Sequence, residues 1–222
     1  VLLVDFDPQA NATSALGVQT DGLADAYEAI LEETPADQCI LELPEEHIHL
    51  MPSSAALAGA EVELVPMMAR ERRLATAVYP LRERYDWIFV DCPPSLGLLT
   101  INALTAADSV IIPVQCEYMA LEGLSRLLET LDLVRRNLNP ALTVLGVLLT
   151  MFDGRTRLSQ QVVEEVRSHF KETFAAVIPR AVRLSEAPSH GQSIFRYDPG
   201  GRPAVAYDAL AAELLARVGV PV

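Results

Sequence analysis

The sequence predicts an α/β fold, a mostly parallel sheet with helices on both faces. Three observations predict it. Short apolar runs, too short for helices, recur along the chain. Longer stretches with helical periodicity alternate with them. Two of the runs end in aspartates: VLLV delivers Asp5 and Asp7, and WIFV delivers Asp91. A run that is apolar at every position suits a strand buried on both faces, as in parallel sheets.

The elements follow in order. Strands are expected at about 1–4, 47–52, 86–91, 109–114, 142–150 and 174–178. Between the first two, Gly22 initiates a turn and Leu23, Ala26, Ile30 and Leu31 repeat at helical spacing. The acidic segment Asp37 to Glu46 reads as a solvated loop. His47 and His49 alternate with inward Ile48 and Leu50 and lack further metal ligands nearby, which favours an exposed strand face. Ser53 to Arg84 reads as helical with a break at Pro66, and Ser53 or Ser54 is expected to cap it. Arg70, Arg72, Arg73, Arg82 and Arg84 alternate with Leu74, Val78 and Leu81, the wet side of an amphipathic surface helix rather than a nucleic-acid patch. Helices are expected at Leu96 to Ala107, Leu121 to Leu138, Ser159 to Phe170 and Ala204 to Val218. Pro179 to Arg202 has no strong periodicity and reads as a loop.

Composition narrows the function. With 222 residues the chain can build one α/β domain with a sizeable core. No apolar run is long enough to span a bilayer. Cys39, Cys92 and Cys116 form no C-x-x-C pair, and a scattered odd count suits a reducing cytosol. The net charge of −13 is uneven: residues 1–69 hold 13 acids and no Lys or Arg. Such a chain is a poor general DNA binder, so nucleic-acid contact requires a local basic patch. Pro179 to Arg202 is one: Arg180, Arg183, Arg196 and Arg202 stand against Glu186 and Asp198.

The aspartates carry the chemistry. In open parallel sheets ligands sit beyond the carboxyl ends of the strands. One apolar run ending in Asp is most simply a turn cap. Two such runs, with Asp5 and Asp7 two apart and therefore pointing the same way along a strand, make a site for magnesium and water activation.

Five segments, VLLVDFDPQANATSALG, YDWIFVDCPPS, PVQCEYMALEG, LLTMFDGRT and VIPRAVRLSEAPSHGQSI, resemble in order and spacing the ParA/Soj family of chromosome-partitioning ATPases, of the deviant Walker A class. The resemblance spans Val1 to about Val218. Ala10 and Ala15 stand where the family pattern has Gly, and Ala181 where it has Asn. The resemblance implies a P-loop NTPase-like fold in which a strand, a KGGVGKTT-type loop and a helix come before the strand that opens this sequence. No G-x-x-x-x-G-K-[ST] occurs in residues 1–222, whose one lysine is Lys171. Residues 1–222 are therefore expected to form a single ParA-like domain without that first βα unit, leaving an unfilled slot or a closed-up sheet.

The roles that follow are implied by the resemblance. ATP and Mg²⁺ are the expected cofactors. Asp7 would orient or deprotonate the attacking water. Asp5 and Asp91 would serve the Mg²⁺ shell through water. Pro8 and Pro93 would line the nucleotide site, and Met151, Pro179 and Arg180 would approach the adenine. The QCEYMALEG segment would adjoin nucleotide and dimer interface. An ATP-dependent homodimer would bind DNA non-specifically through Arg183 and Arg202, and a ParB-type centromere-binding protein would stimulate hydrolysis. The expected location is the cytoplasm, on the nucleoid. A MinD-like membrane-cycling ATPase is the alternative within the superfamily, although the final helix lacks a basic amphipathic face. A nucleotide-free interaction module is the alternative from another class.

Overall fold

The structure, a computed structural model, describes residues 1–31, 34–117 and 120–220. Seven strands occur among them: β1 Leu2–Asp5, β2 Leu41–Leu43, β3 Ile48–Met51, β4 Ile88–Asp91, β5 Ser109–Gln115, β6 Thr143–Phe152 and β7 Thr173–Pro179. The first half carries helices α1 Asn11–Ala15, α2 Ala26–Leu31, α3 Leu57–Glu63, α4 Arg73–Val78 and α5 Leu98–Ala106. The second half carries α6 Ala120–Asn137, α7 Arg157–His169, α8 Val182–Glu186, α9 Ile194–Tyr197 and α10 Arg202–Arg217.

The strands form two sheets, ordered β2-β3-β1-β4 and β5-β6-β7. Every pairing is parallel except β2 with β3. The sheet is thus divided between β4 and β5 rather than closed up. Helix α5 bridges the division. Its Leu99 and Ala103 pack with Leu2, Val4, Phe6 and Leu57, while Leu104 packs with Ile112, Val114 and Leu131. A third cluster joins Trp87 to Ile111, Leu148, Phe174 and Leu214 of α10 on the other face.

Six strands fall where the apolar runs predicted them. β2 was not foreseen, and Asp37 to Glu46 is not a solvated loop. Cys39 is buried, Leu41–Leu43 pairs antiparallel with β3, and Glu46 is held by Arg196 and the Ser193 amide. A three-residue edge strand is too short to show period-two alternation. Pro179 to Arg202 likewise contains α8, α9 and a tight turn at Ala187–His190, each too short to show a helical period. The arginines at 70–84 have structural partners, as expected for a surface helix. Arg70 pairs with Glu71, Arg82 with Asp108, and Arg72 donates to Leu138 O. His49 Nδ1 lies 2.7 Å from the Tyr85 hydroxyl, so that ring is tied to the fold.

Candidate nucleotide and magnesium site

β1 and β4 run side by side in parallel with Asp5 opposite Asp91. Two carboxylates therefore reach one edge of one sheet because the apolar runs before them are in register. The backbone confirms the pairing beyond the strand ends: Phe6 N donates to Asp91 O at 2.8 Å.

The two acids have opposite environments. Asp5 is fully buried and saturated. Its Oδ2 accepts from Thr13 N at 2.8 Å and Thr13 Oγ1 at 2.7 Å, and its Oδ1 accepts from Asp7 N at 3.3 Å. Asp91 has an exposed side chain. Its carboxyl is pushed above the usual aspartate range, first by partial burial against the strand end and then by the negative charges of Asp5 and Asp7. Because part of the group reaches water, the shift is smaller than an enclosed carboxyl would show. The neighbouring Cys92 thiol is pushed up to about 12, by burial and then by Asp91 and Asp7. A thiol held so far from ionisation is no nucleophile at neutral pH.

Asp7 stands on the loop between β1 and α1. Its Oδ1 accepts from Gln9 N at 2.9 Å, and its backbone oxygen accepts from Ser53 Oγ at 2.7 Å. Ser53 N in turn donates to Thr13 Oγ1 at 3.0 Å. Thr13 and Ser53, both buried, thus brace the two aspartates from a helix and from the end of β3. Sequence reasoning missed both. Of the two expected caps, Ser54 accepts from Ala56 N at 3.3 Å just before α3, which starts at Leu57, while Ser53 turns instead to the aspartate loop. A serine just after a strand reads as a cap unless its distant partner is known. Ala10, before α1, has φ 50° and ψ 38°. That left-handed conformation favours Gly, the residue the resembled pattern has there.

The other predicted ligand-edge residues gather on the second sheet. Phe152 is opposite Pro179 in the ladder, and Arg180 N donates to Phe152 O at 2.9 Å. Met151 adopts φ 53° just before that turn. Arg180 Nη1 lies 3.9 Å from Glu117 Oε1. Asp153 is held down to about 2 by its hydrogen bonds to the Arg155 side chain and amide. Pro8 follows Asp7 directly and Pro93 follows Asp91 after Cys92, on the first sheet's edge. Tyr118 and Met119 of the QCEYMALEG segment lie outside the described residues. Lys171 lies in the turn before β7, not in a helix, and that turn is at the amino edge of the strands, opposite the aspartates.

The basic candidates are unequal. Arg183 Nη1 donates to Glu186 at 3.0 Å and to the Tyr197 hydroxyl at 3.3 Å. Arg202 is exposed, opens α10 and has no ion pair among the described residues. A cation at a helix N-terminus is opposed by the helix dipole, so its position there is not explained by stability. The two regions are linked mechanically. Gly17, after α1, packs backbone to backbone on Gly191, after the Ala187–His190 turn, leaving a Cβ at Gly191 only 3.0 Å from Gly17 Cα.

The donor set suits magnesium. Asp91 offers carboxylate oxygen to solvent, Asp5 and Asp7 add charge behind it, and Mg²⁺ binds through one or two carboxylates plus water and phosphate. Among the described residues no group of three His, Cys, Asp or Glu side chains is placed to hold a metal ion by itself.

Together the parallel α/β architecture and acids at the strand ends define a nucleotide-hydrolase type of fold. The comparisons agree. An AAA domain family model matches residues 1–144. The sporulation initiation inhibitor protein Soj of Bacillus subtilis is 53% identical over 97% of this chain and 86% of its own length. The chromosome partitioning protein ParA of Myxococcus xanthus is 52% identical over 97% of this chain and 77% of its own length. Among solved structures, cobyrinic acid a,c-diamide synthase from Mycobacterium smegmatis with bound ATP analog and magnesium superposes with a TM-score of 0.76, 36% identity, and coverage of 91% of this chain and 84% of that one. The chain belongs to the ParA/Soj family of chromosome-partitioning ATPases.

Proposed function

We propose that residues 1–222 form the catalytic and DNA-contacting body of a partitioning ATPase that cycles with ATP and Mg²⁺. The observation that carries this is the triad of Asp5, Asp7 and Asp91, brought to one sheet edge by parallel register and left without a cationic partner among the described residues. An uncompensated cluster of carboxylates on a rigid edge suits a site completed by a cation and its ligand. The family resemblance suggests the roles, and the geometry supports them as follows. Asp5, saturated by Thr13, holds the β1–α1 loop and contributes charge at second hand. Asp91 is the carboxylate open to a hydrated Mg²⁺. Asp7 positions the attacking water. Pro8 and Pro93 shape this edge, and Met151, Pro179 and Arg180 form the wall for the base.

We place the protein in the cytoplasm on the nucleoid, as an ATP-dependent homodimer that contacts DNA without sequence preference, with a ParB-type protein as its stimulating partner. Arg202 is the stronger DNA candidate because Arg183 is already engaged. No helix among the described residues is long and apolar enough to cross a membrane, and α10 carries only Arg202 and Arg217 as cations.

Calorimetric titration with Mg-ATP tests the reading. Phosphate charge is normally met by a loop of backbone N–H groups and a lysine. Residues 1–222 contain no such loop, and the edge they present is acidic. They are expected not to bind Mg-ATP measurably, whereas a protein joining the phosphate-loop segment of a family member to Val1 should bind and hydrolyse it. Binding by residues 1–222 at low micromolar concentration, or failure of the joined protein to hydrolyse ATP, overturns the reading.

A further inference from the structure

We infer that Arg196 is a DNA-phosphate contact that the chain holds shut from within: the Glu45 carboxylate occupies its guanidinium, and duplex DNA competes for it. That role rests on the reading that the 179–202 segment contacts DNA, and adds to it a residue and a brake.

The charge distribution sets up the contact. Residues 1–69 hold 13 acids and no Lys or Arg, so an acid there finds an arginine only beyond residue 69. Glu45 and Glu46 lie in the Pro44–Glu46 turn between β2 and β3. Arg196 lies on α9, between Arg183 of α8 and Arg202 at the start of α10. The β2–β3 hairpin brings the acids to that helix. Arg196 Nη1 donates to Glu46 Oε1 at 2.9 Å, and Nη2 donates to Glu45 Oε2. A planar guanidinium donating from separate nitrogens to anionic oxygens is the arrangement arginine also makes with phosphate.

The two carboxylates differ. The Glu46 side chain is 7% exposed and also accepts from Ser193 N at 3.2 Å. Burial opposes its ionisation, yet Ser193 and Arg196 outweigh that and hold it below the usual glutamate range. This bond fixes α9 to the hairpin. The Glu45 side chain is 76% exposed, and Arg196 itself reaches solvent. An exposed ion pair adds little to stability. Glu46 therefore suffices as the anchor, and stability does not account for Glu45.

Four arginines make the 179–202 segment basic inside a chain of net charge −13. Arg180 faces Glu117, and Arg183 is held by Glu186 and the Tyr197 hydroxyl. Arg202 stands open. Displacing Glu45 adds Arg196 to it. A phosphate oxygen accepts the same charge-assisted bond that Glu45 accepts, so the exchange conserves that bond. It also returns Glu45 to water and releases counterions from the DNA, which favours the exchange at low salt. Glu45 thus sets how much of the segment's charge the DNA meets.

Glu45→Gln isolates the brake. It removes an exposed charge and keeps the bonds among Glu46, Ser193 and Arg196, so the melting midpoint should not change. Fluorescence anisotropy reads binding of a random-sequence duplex to residues 1–222 between about 20 and 200 mM salt. At the lowest salt Glu45→Gln should bind at least about threefold more tightly, with log K against log salt steeper by up to about 0.9. Glu42→Gln removes another exposed charge, on β2, and should give a clearly smaller gain. Adding Arg196→Gln to Glu45→Gln should return affinity to that of the parent, since Gln still donates to Glu46 but carries no charge. Equal gains from Glu42→Gln and Glu45→Gln, or a gain that survives Arg196→Gln, overturn the inference and leave the DNA reading standing. So does a lowered melting midpoint for Glu45→Gln, which would make Glu45 a structural partner. No binding by any variant at the lowest salt overturns both. If Arg202→Ala binds like the parent while the Glu45→Gln gain persists, Arg196 is supported and Arg202 is removed.

Discussion

The carboxyl edges of the two sheets solve the same electrostatic problem in opposite ways. On the second sheet each acid has a local base: Asp153 with Arg155, Glu117 with Arg180. On the first, Asp5 and Asp7 have only neutral donors, and Asp91 is held above its normal range by burial and then by its acidic neighbours. Strain of this kind persists when the surrounding fold dictates it, and it clusters where something is bound. The division between β4 and β5 lies between these two edges. The compensated edge is a wall, and the uncompensated one is where a cation and its ligand gain most.

The largest expected effect belongs to Asp7. In a protein carrying the phosphate-loop segment, Asp7→Ala should slow steady-state hydrolysis by about 10²–10⁴-fold, with nucleotide binding retained. A rate within twofold of the parent would remove Asp7 from the chemistry and reduce the first edge to a structural cluster.

Thr13→Val comes next, because it strips a buried carboxylate of its hydroxyl donor and Ser53 N of its acceptor. A loss of about 1–3 kcal/mol in urea unfolding is expected. Arg155→Ala, which breaks an exposed pair on the other edge, should cost much less, because solvent screens that pair. Comparable losses would show that the two edges are braced alike.

DNA binding separates the arginines. Arg202→Ala should lower the slope of log K against log salt by about 0.9, the effect of one phosphate contact. Arg183→Ala should lower it less, since Glu186 and Tyr197 already hold that guanidinium. Salt titrations by fluorescence anisotropy read both slopes. Two unchanged slopes would move the DNA surface elsewhere.

The smallest effect is that of Asp91→Asn on stability. A carboxyl raised on folding binds its proton more tightly in the native state, so ionising it costs stability as pH rises from the normal aspartate range through the raised value. The substitution should therefore raise the melting midpoint at pH 7 without Mg²⁺ and leave it unchanged near pH 3. An equal shift at both pH values would show that charge is not the cause.

Much of this could be read without coordinates. Short apolar runs declared five strands, since burial on both faces leaves little room for polar positions inside them, and alternation of His47 and His49 with Ile48 and Leu50 declared the sixth. Asp5, Asp7 and Asp91 were legible because each ends such a run, and chain order alone puts the ends of parallel strands at one edge. The expectation that Met151, Pro179 and Arg180 approach the adenine came from family resemblance, and the structure groups these residues through the pairing of β6 with β7. Tertiary structure alone decided the rest. It revealed that Asp5 is sealed by Thr13 while Asp91 meets solvent, that Ser53 braces Asp7 from 46 residues away, and that Arg196 clamps Glu45 and Glu46 across about 150 positions. It also showed a sheet parted between β4 and β5. Local pattern encodes which residues want burial or a turn. Which donor meets which acceptor depends on contacts between distant segments, and those exist only once the sheets and helices have packed.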